Sequence, residues 1–202
     1  MKTKIAVLVS GGGTNLQALI DAEKAGQISA GTIALVVSNS AGAYALERAK
    51  KAGIETAVVL KKECGSQAAF EEQLIKILTD HGIELIILAG FMTILTENFT
   101  SRYPKRILNI HPSLIPSFCG EGFYGLRVHQ AALEYGVKVT GATVHFVQEI
   151  PDGGEIILQK AVDILPGDTP EILQRRVMEQ AEWKLLPQAA QLVCAQIQEE
   201  KR

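Results

Sequence analysis

Apolar runs and amphipathic stretches alternate along the first half of the chain. Ile5-Ala6-Val7-Leu8-Val9 contains no polar residue, the pattern of a strand covered on both faces. It leads into Ser10-Gly11-Gly12-Gly13, after which Thr14-Asn15 opens a stretch with Leu16, Leu19 and Ile20 at helical spacing, stopped near Gly26. Ile33-Ala34-Leu35-Val36-Val37 predicts a second strand ending at Ser38-Asn39, and a helix over about 44–52 is closed by Gly53. Thr56-Ala57-Val58-Val59-Leu60 predicts a third strand. A longer helix over 67–81 sets Phe70, Leu74, Ile77 and Leu78 on one stripe, and Leu85-Ile86-Ile87-Leu88-Ala89 predicts the next strand.

Strands and helices joined by short connections predict right-handed βαβ units, hence an α/β fold with an open, mostly parallel, doubly wound Rossmann-like sheet. A short helix over 96–102, a strand over 107–111, a Pro/Gly-rich loop over 112–125 and a helix to about Tyr135 follow. The stretches 139–146 and 156–162 alternate and flank Pro151-Asp152-Gly153-Gly154, which predicts an antiparallel edge outside the parallel core. The remainder reads as helix from Thr169, an N-cap with Pro170 at the first helical position. No linker or repeat divides the chain, so residues 1–202 read as a single domain.

Composition narrows the function. Twenty Lys+Arg against 22 Asp+Glu give a net charge of −2, which argues against affinity built on phosphate neutralisation along a nucleic acid. Cys64, Cys119 and Cys194 are scattered, with no CxxC pair, so neither a disulfide framework nor a zinc site is expected, and no metal. Met1-Lys2-Thr3-Lys4 leads straight into a short apolar strand, and no apolar run approaches the ~20 residues of a membrane span. These readings predict a cytoplasmic domain acting on small molecules, without nucleic-acid or membrane partners, as a monomer or weak homodimer.

In open α/β sheets ligands sit at the carboxyl ends of the strands. The loop Ser10–Asn15 is therefore the first candidate: its glycines admit close approach, and the helix after it offers unpaired N–H groups to an anion. Leu16 stands where a dinucleotide fingerprint has its third glycine, and no Gly-Lys-Ser/Thr follows, so a nucleotide cofactor is disfavoured. A single phosphate on Gly13, Thr14 and Asn15 fits, and so does a plain tight turn. Asn109-Ile110-His111 closes a strand whose period puts Asn109 and His111 on one side. An amide there suits a developing oxyanion, and an imidazole suits proton transfer near neutral pH. Asp152, in a turn, is unremarkable by itself.

Taken in order, Ser10-Gly11-Gly12-Gly13-Thr14-Asn15-Leu16-Gln17, Leu88-Ala89-Gly90-Phe91-Met92, Asn109-Ile110-His111-Pro112-Ser113-Leu114 and Asp152-Gly153-Gly154 resemble the glycinamide ribonucleotide formyltransferases, folate-dependent enzymes of purine synthesis. The resemblance runs over about 4–187. Asn-x-His with a distant Asp is shared by folate formyltransferases generally, whereas the Gly-Gly-Thr-Asn loop is the feature specific to the ribonucleotide enzymes. It implies formyl transfer from 10-formyltetrahydrofolate to the amine of the ribonucleotide, with no metal and no covalent enzyme intermediate. Asn109 and His111 would stabilise the tetrahedral oxyanion and Asp152 would assist the proton transfer. The phosphate would sit on Gly13, Thr14 and Asn15. The pterin pocket would fall on Phe91, Met92, Thr93, Ile94 and Leu95, with backbone of Gln148, Glu149, Ile150, Pro151 and Asp152 at the polar edge of the ring.

Three departures from that pattern stand out. The family's Phe-Pro-Gly-Leu-x-x-His becomes Phe118, Gly125, Leu126 and His129, with 119–124 in place of the proline. That longer loop is either a lid or a tolerated insertion, and His129 is expected to fix it, while His81 and His145 read as surface or strand residues. The Glu that the family sets against the substrate's glycinamide end is expected at Glu182, with Glu179 as the alternative, because one extra residue follows Val177 and each residue of helix turns the face by ~100°. Trp183 beside it reads as a packing anchor. Where the family carries arginines for the folate's glutamate tail, this chain has Gln67 and Thr93, with Lys61 and Lys62 in the neighbouring loop. Two other folate enzymes fit less well. A formyltetrahydrofolate hydrolase is expected to carry a further N-terminal domain and a second His at the place of Pro112. A methionyl-tRNA formyltransferase is expected to carry a further domain and more basic surface than Lys201-Arg202. A non-catalytic phosphometabolite binder leaves Asn109, His111 and Asp152 without a role.

Overall fold

The computed structural model describes residues 1–201; Arg202, the last residue of the basic tail, lies outside them. Seven strands form one sheet: β1 (Thr3–Val9), β2 (Gly31–Ser38), β3 (Glu55–Val58), β4 (Leu85–Leu88), β5 (Ile107–His111), β6 (Val139–Phe146) and β7 (Ile156–Asp163), in the order β3-β2-β1-β4-β5-β6-β7. The pairs from β3 through β5 are parallel, and β5–β6 and β6–β7 are antiparallel. The expected architecture is therefore present, with the hairpin forming one edge.

Strand β1 shows why an unbroken apolar run is needed. Ile5, Val7 and Val9 enter one core cluster and Ala6 and Leu8 enter the other, because alternate side chains leave a strand on opposite faces. One face is covered by α1 (Thr14–Lys24), α2 (Tyr44–Lys51), α7 (Pro170–Val177) and α8 (Trp183–Glu200), through residues such as Leu16, Leu46, Leu173 and Leu186. The other lies under α4 (Gln67–Asp80) and α5 (Glu97–Thr100), through Phe70, Leu74, Leu78 and Phe99. Helix α6 (Leu126–Tyr135) follows the long loop after β5. Helix α4 starts at Ser66, whose Oγ accepts from Ala69 N–H, and α7 starts at Thr169, whose Oγ1 accepts from Ile172 N–H.

Two local differences separate sequence and structure. Residues 61–64, read as loop, close a single turn, α3 (Lys61–Cys64), held by N–H groups of Glu63 and Cys64 on the Leu60 carbonyl. It buries no residue, so no apolar period marked it. Between α7 and α8 the helix widens into a π-turn over Met178–Glu182, which takes up the extra residue after Val177. The chain order reverses at β1, whose neighbours are β2 and β4. There the loops after β1 and β4 part, and a crevice opens at the carboxyl edge.

Candidate active site

The crevice is a cleft of about 920 Å³, within the size of small-molecule sites. Its first wall is the glycine loop. Gly13 caps α1 with φ 73, and a Cβ there would stand 2.6 Å from Ala45 Cβ, so conformation and space both require glycine. Helix α2 occupies the loop's carbonyls: Gly11 C=O accepts from Ala45 N–H at 3.0 Å and Gly12 C=O from Arg48 Nε at 2.8 Å. No side chain caps α1, and its first-turn N–H groups have no helical acceptor. Gly13, Thr14 and Asn15 line the cleft, an arrangement suited to an anion.

The Asn15 side chain also joins two distant segments. Its Nδ2 donates to Glu182 Oε2 at 2.8 Å, tying the loop to the π-turn. Glu182 is only 4% exposed, and burial pushes its carboxyl up to about 7 against the lowering effect of the Asn15 bond. Glu179 instead lies exposed, accepting from Arg175 Nε at 2.8 Å. Geometry thus selects Glu182: the wider turn spends one residue and carries its side chain inward. Trp183 is half-buried against α1, and its Nε1 finds no partner.

The opposite wall follows β4. Met92 N–H donates to Ser10 Oγ at 2.8 Å, which joins this loop to the glycine loop. Met92 and Ile94 are 57% and 64% exposed while Leu95 is buried; large apolar side chains bared inside a cleft mark a surface for an apolar ligand face. Thr93 Oγ1 accepts from Asn39 Nδ2 at 2.8 Å. Gln148, Glu149, Pro151 and Asp152 close the far side. Ile150 departs from expectation. It does not line the cleft; its side chain is exposed and its carbonyl accepts from Gly153 N–H at 3.0 Å, because the tight turn consumes that group.

At the end of β5, Asn109, His111 and Asp152 come together. His111 Nδ1 is 3.5 Å from Asp152 Oδ2, and Asn109 Nδ2 is 3.4 Å from Asp152 Oδ1. Their fourth member was not expected. His145 pairs with Asn109 across the β5–β6 ladder, placing its Nε2 3.2 Å from Asn109 Nδ2 and 3.4 Å from Asp152 Oδ1, while its Nδ1 faces the Phe146 carbonyl at 2.8 Å. Sequence reading treated His145 as an ordinary strand residue; the usable signal was its period on a strand antiparallel to β5. Burial lowers the His111 pKa, with the Asp152 charge and the Phe118 carbonyl opposing and His145 adding to the fall. Burial also works to raise Asp152, but the His145 hydrogen bond, the His111 charge and the Gly120 N–H outweigh it and hold the carboxyl below its usual range. The contacts inside this cluster are long, leaving it open to tighten around a ligand oxygen.

The loop after β5 is a wall of the same cleft, through Gly120, Glu121, Gly122, Phe123, Tyr124 and Gly125. His129 on α6 does not tether it. The ring is fully buried, neither nitrogen has a partner, and burial followed by the His111 charge pushes its pKa to about 4.

Comparison with known proteins agrees with this geometry. Residues 3–190 match the family described as formyl transferase. The chain is 49% identical over 194 residues to the trifunctional purine biosynthetic protein adenosine-3 of Gallus gallus, covering 96% of this chain and 19% of that one. It therefore spans about a fifth of the length of such multifunctional relatives. A phosphoribosylglycinamide formyltransferase of Haemophilus influenzae is 47% identical over 184 residues, covering 91% of this chain and 84% of that one. The crystal structure of glycinamide ribonucleotide transformylase 1 from Symbiobacterium toebii superposes with a TM-score of 0.90 at 44% identity, covering 96% of this chain and 89% of that one. With its glycine loop, its Asn-x-His strand end and the facing Asp on one cleft, this chain belongs to the formyl transferase family.

Proposed function

We propose that this domain transfers the formyl group of 10-formyltetrahydrofolate to the amine of N1-(5-phosphoribosyl)glycinamide, a step of de novo purine synthesis. One observation carries the reading: an anion-suited helix terminus and a His111–Asp152 pair share one cleft in which Met92 and Ile94 bare apolar surface. The spacing suits a substrate with a phosphate at one end and an amine at the other, beside a flat, largely apolar co-substrate. Met92, Ile94 and Leu95 would receive the folate ring, with backbone of Gln148, Glu149, Pro151 and Asp152 at its polar edge. Glu182, buried at the tie between the two chain segments, would meet the glycinamide end.

Each residue then has a task. Holding the amine against the formyl carbon makes the addition effectively unimolecular. Asn109 Nδ2 and protonated His111 stabilise the oxygen as it gains charge. Asp152, kept ionised by its neighbours, favours protonated His111 and guides the amine proton towards the departing N10, through water. The test is to incubate the protein with 10-formyltetrahydrofolate, with and without the ribonucleotide, and follow folate absorbance. Turnover that requires the ribonucleotide is the expected result. Ribonucleotide-independent turnover would favour hydrolysis instead, and none at all would favour a binding protein.

A further inference from the structure

The loop after β5 touches both titrating groups of the site. The Phe118 carbonyl lies 2.9 Å from His111 Nε2, and Gly120 N–H donates to Asp152 Oδ2 at 2.8 Å. A carbonyl only accepts, so His111 must carry a hydrogen on Nε2 to make that bond. Nδ1, facing Asp152 at 3.5 Å, is then the nitrogen that gains and loses a proton. Both contacts depend on left-handed backbone, with φ 50 at Phe118 and φ 87 at Gly120. Phenylalanine does not adopt that conformation by preference and is held there by its surroundings. Its ring packs edge-on against Phe123 at 6.4 Å and against Tyr135, the last residue of α6, at 5.9 Å.

We propose that Phe118 and Gly120 are positioning residues, whose backbone C=O and N–H fix the tautomer of His111 and the orientation of the Asp152 carboxylate, with the Phe118–Phe123–Tyr135 cluster as the anchor. The proposal rests on the assignment of His111 and Asp152 to formyl transfer. The other titratable groups facing this pair are His145 on β6, His129 on α6 and Cys119 in the loop, whose thiol is raised by burial and by the Asp152 charge. The Phe118 carbonyl favours charged His111, and the Gly120 N–H adds to the His145 hydrogen bond in favouring ionised Asp152. Losing the clamp therefore lowers His111 and raises Asp152. The pH window in which both are charged narrows from both sides.

The experiment compares Phe118→Ala with Phe118→Tyr, which keeps the ring, and with Gly120→Ala. A Cβ at Gly120 meets nothing within 4 Å, so that variant tests backbone conformation alone. Phe118→Ala and Gly120→Ala should lower kcat by ~10²-fold, the effect of misplacing catalytic groups by about an ångström. KM for the ribonucleotide should be unchanged, and both limbs of the pH–rate profile should move inward. Phe118→Tyr should retain both limbs. In parallel, ¹⁵N-histidine NMR of the intact protein should show neutral His111 with its hydrogen on Nε2, and a mixture of tautomers in Phe118→Ala. A hydrogen on Nδ1 in the unaltered protein, or limbs that stay in place in a folded Phe118→Ala variant, would overturn the clamp. Full turnover by His111→Ala would instead overturn the functional assignment, and the NMR measurement would still judge the clamp.

Discussion

Asp152 adopts φ 56, a conformation that asparagine tolerates nearly as well as aspartate and alanine does not. Asp152→Asn therefore isolates the charge. Turnover should fall by ~10²–10⁴-fold, the usual size of an acid–base contribution, while the melting temperature and ribonucleotide affinity stay near those of the unaltered protein; steady-state kinetics and calorimetry read both. Glu182 makes a different prediction. Its folded pKa stands at about 7, above the ~4.3 of a free Glu. Between those values the folded state holds more protons than the unfolded one, so stability is full below that window and falls as pH rises through it. Glu182→Gln removes the cost of burying a charge. It should melt higher than the unaltered protein at pH 8, by up to roughly 3 kcal/mol in stability, and nearly alike at pH 4, below that window, while binding the ribonucleotide less well. Equal melting temperatures at pH 8 would show that Glu182 ionises freely. Asn109 and His111 were legible from residue type and period and Asp152 only from the family resemblance, whereas His145 and the loop carbonyl were not, because a cross-strand neighbour and a backbone contact leave no mark in composition.

Among the elements, the π-turn over Met178–Glu182 illustrates how one inserted residue is absorbed without moving the functional side chain. Deleting Glu179, whose exposed pair with Arg175 contributes at most ~0.5 kcal/mol, should turn the segment into ordinary α-helix. Everything from Gln180 onward keeps its register, so Glu182 should still reach Asn15. KM for the ribonucleotide should rise no more than a few fold; loss of binding in a folded variant would show that the wider turn itself is required. The regular elements were legible because their apolar periods are strong, down to Ile107–His111 and the Thr169 cap. The single turn α3 and the π-turn were not. One buries nothing, and the other is a local response to an extra residue in a helix pinned by packing at both ends.

At the scale of the whole molecule, charge placement makes a prediction about the proposed folate co-substrate. Gln67 Nε2 donates to Glu71 Oε1 at 2.6 Å and to the Ile94 carbonyl at 3.1 Å, and Thr93 is engaged by Asn39. Gln67 and Thr93, the positions that the resemblance aligns with tail-binding arginines, are therefore neutral and already bonded. A hydrogen bond to a charged group is worth ~1.5–3 kcal/mol against ~0.5–1.5 for a neutral one, so a folate's glutamate tail should gain little here. KM for mono- and polyglutamyl cofactor should be similar and nearly independent of salt. A strong polyglutamate preference that collapses at high ionic strength would point to Lys61 and Lys62 on exposed α3. At this scale the division between chain and fold is clear. The sequence by itself determined the βαβ alternation, the antiparallel edge, the anion-suited loop and the shared side of Asn109 and His111, since period, glycine placement and residue chemistry are local properties, while Asp152 stood out only through the family resemblance. Tertiary structure showed Glu182 lining the cleft with Glu179 exposed, and it decided that His145 joins the cluster, that Ile150 stays off the cleft wall, and that the loop after β5 contacts His111 and Asp152 through Phe118 and Gly120. Those outcomes depend on strand register, a helix's rotation and a turn's hydrogen bonds, which are fixed only when distant segments pack together.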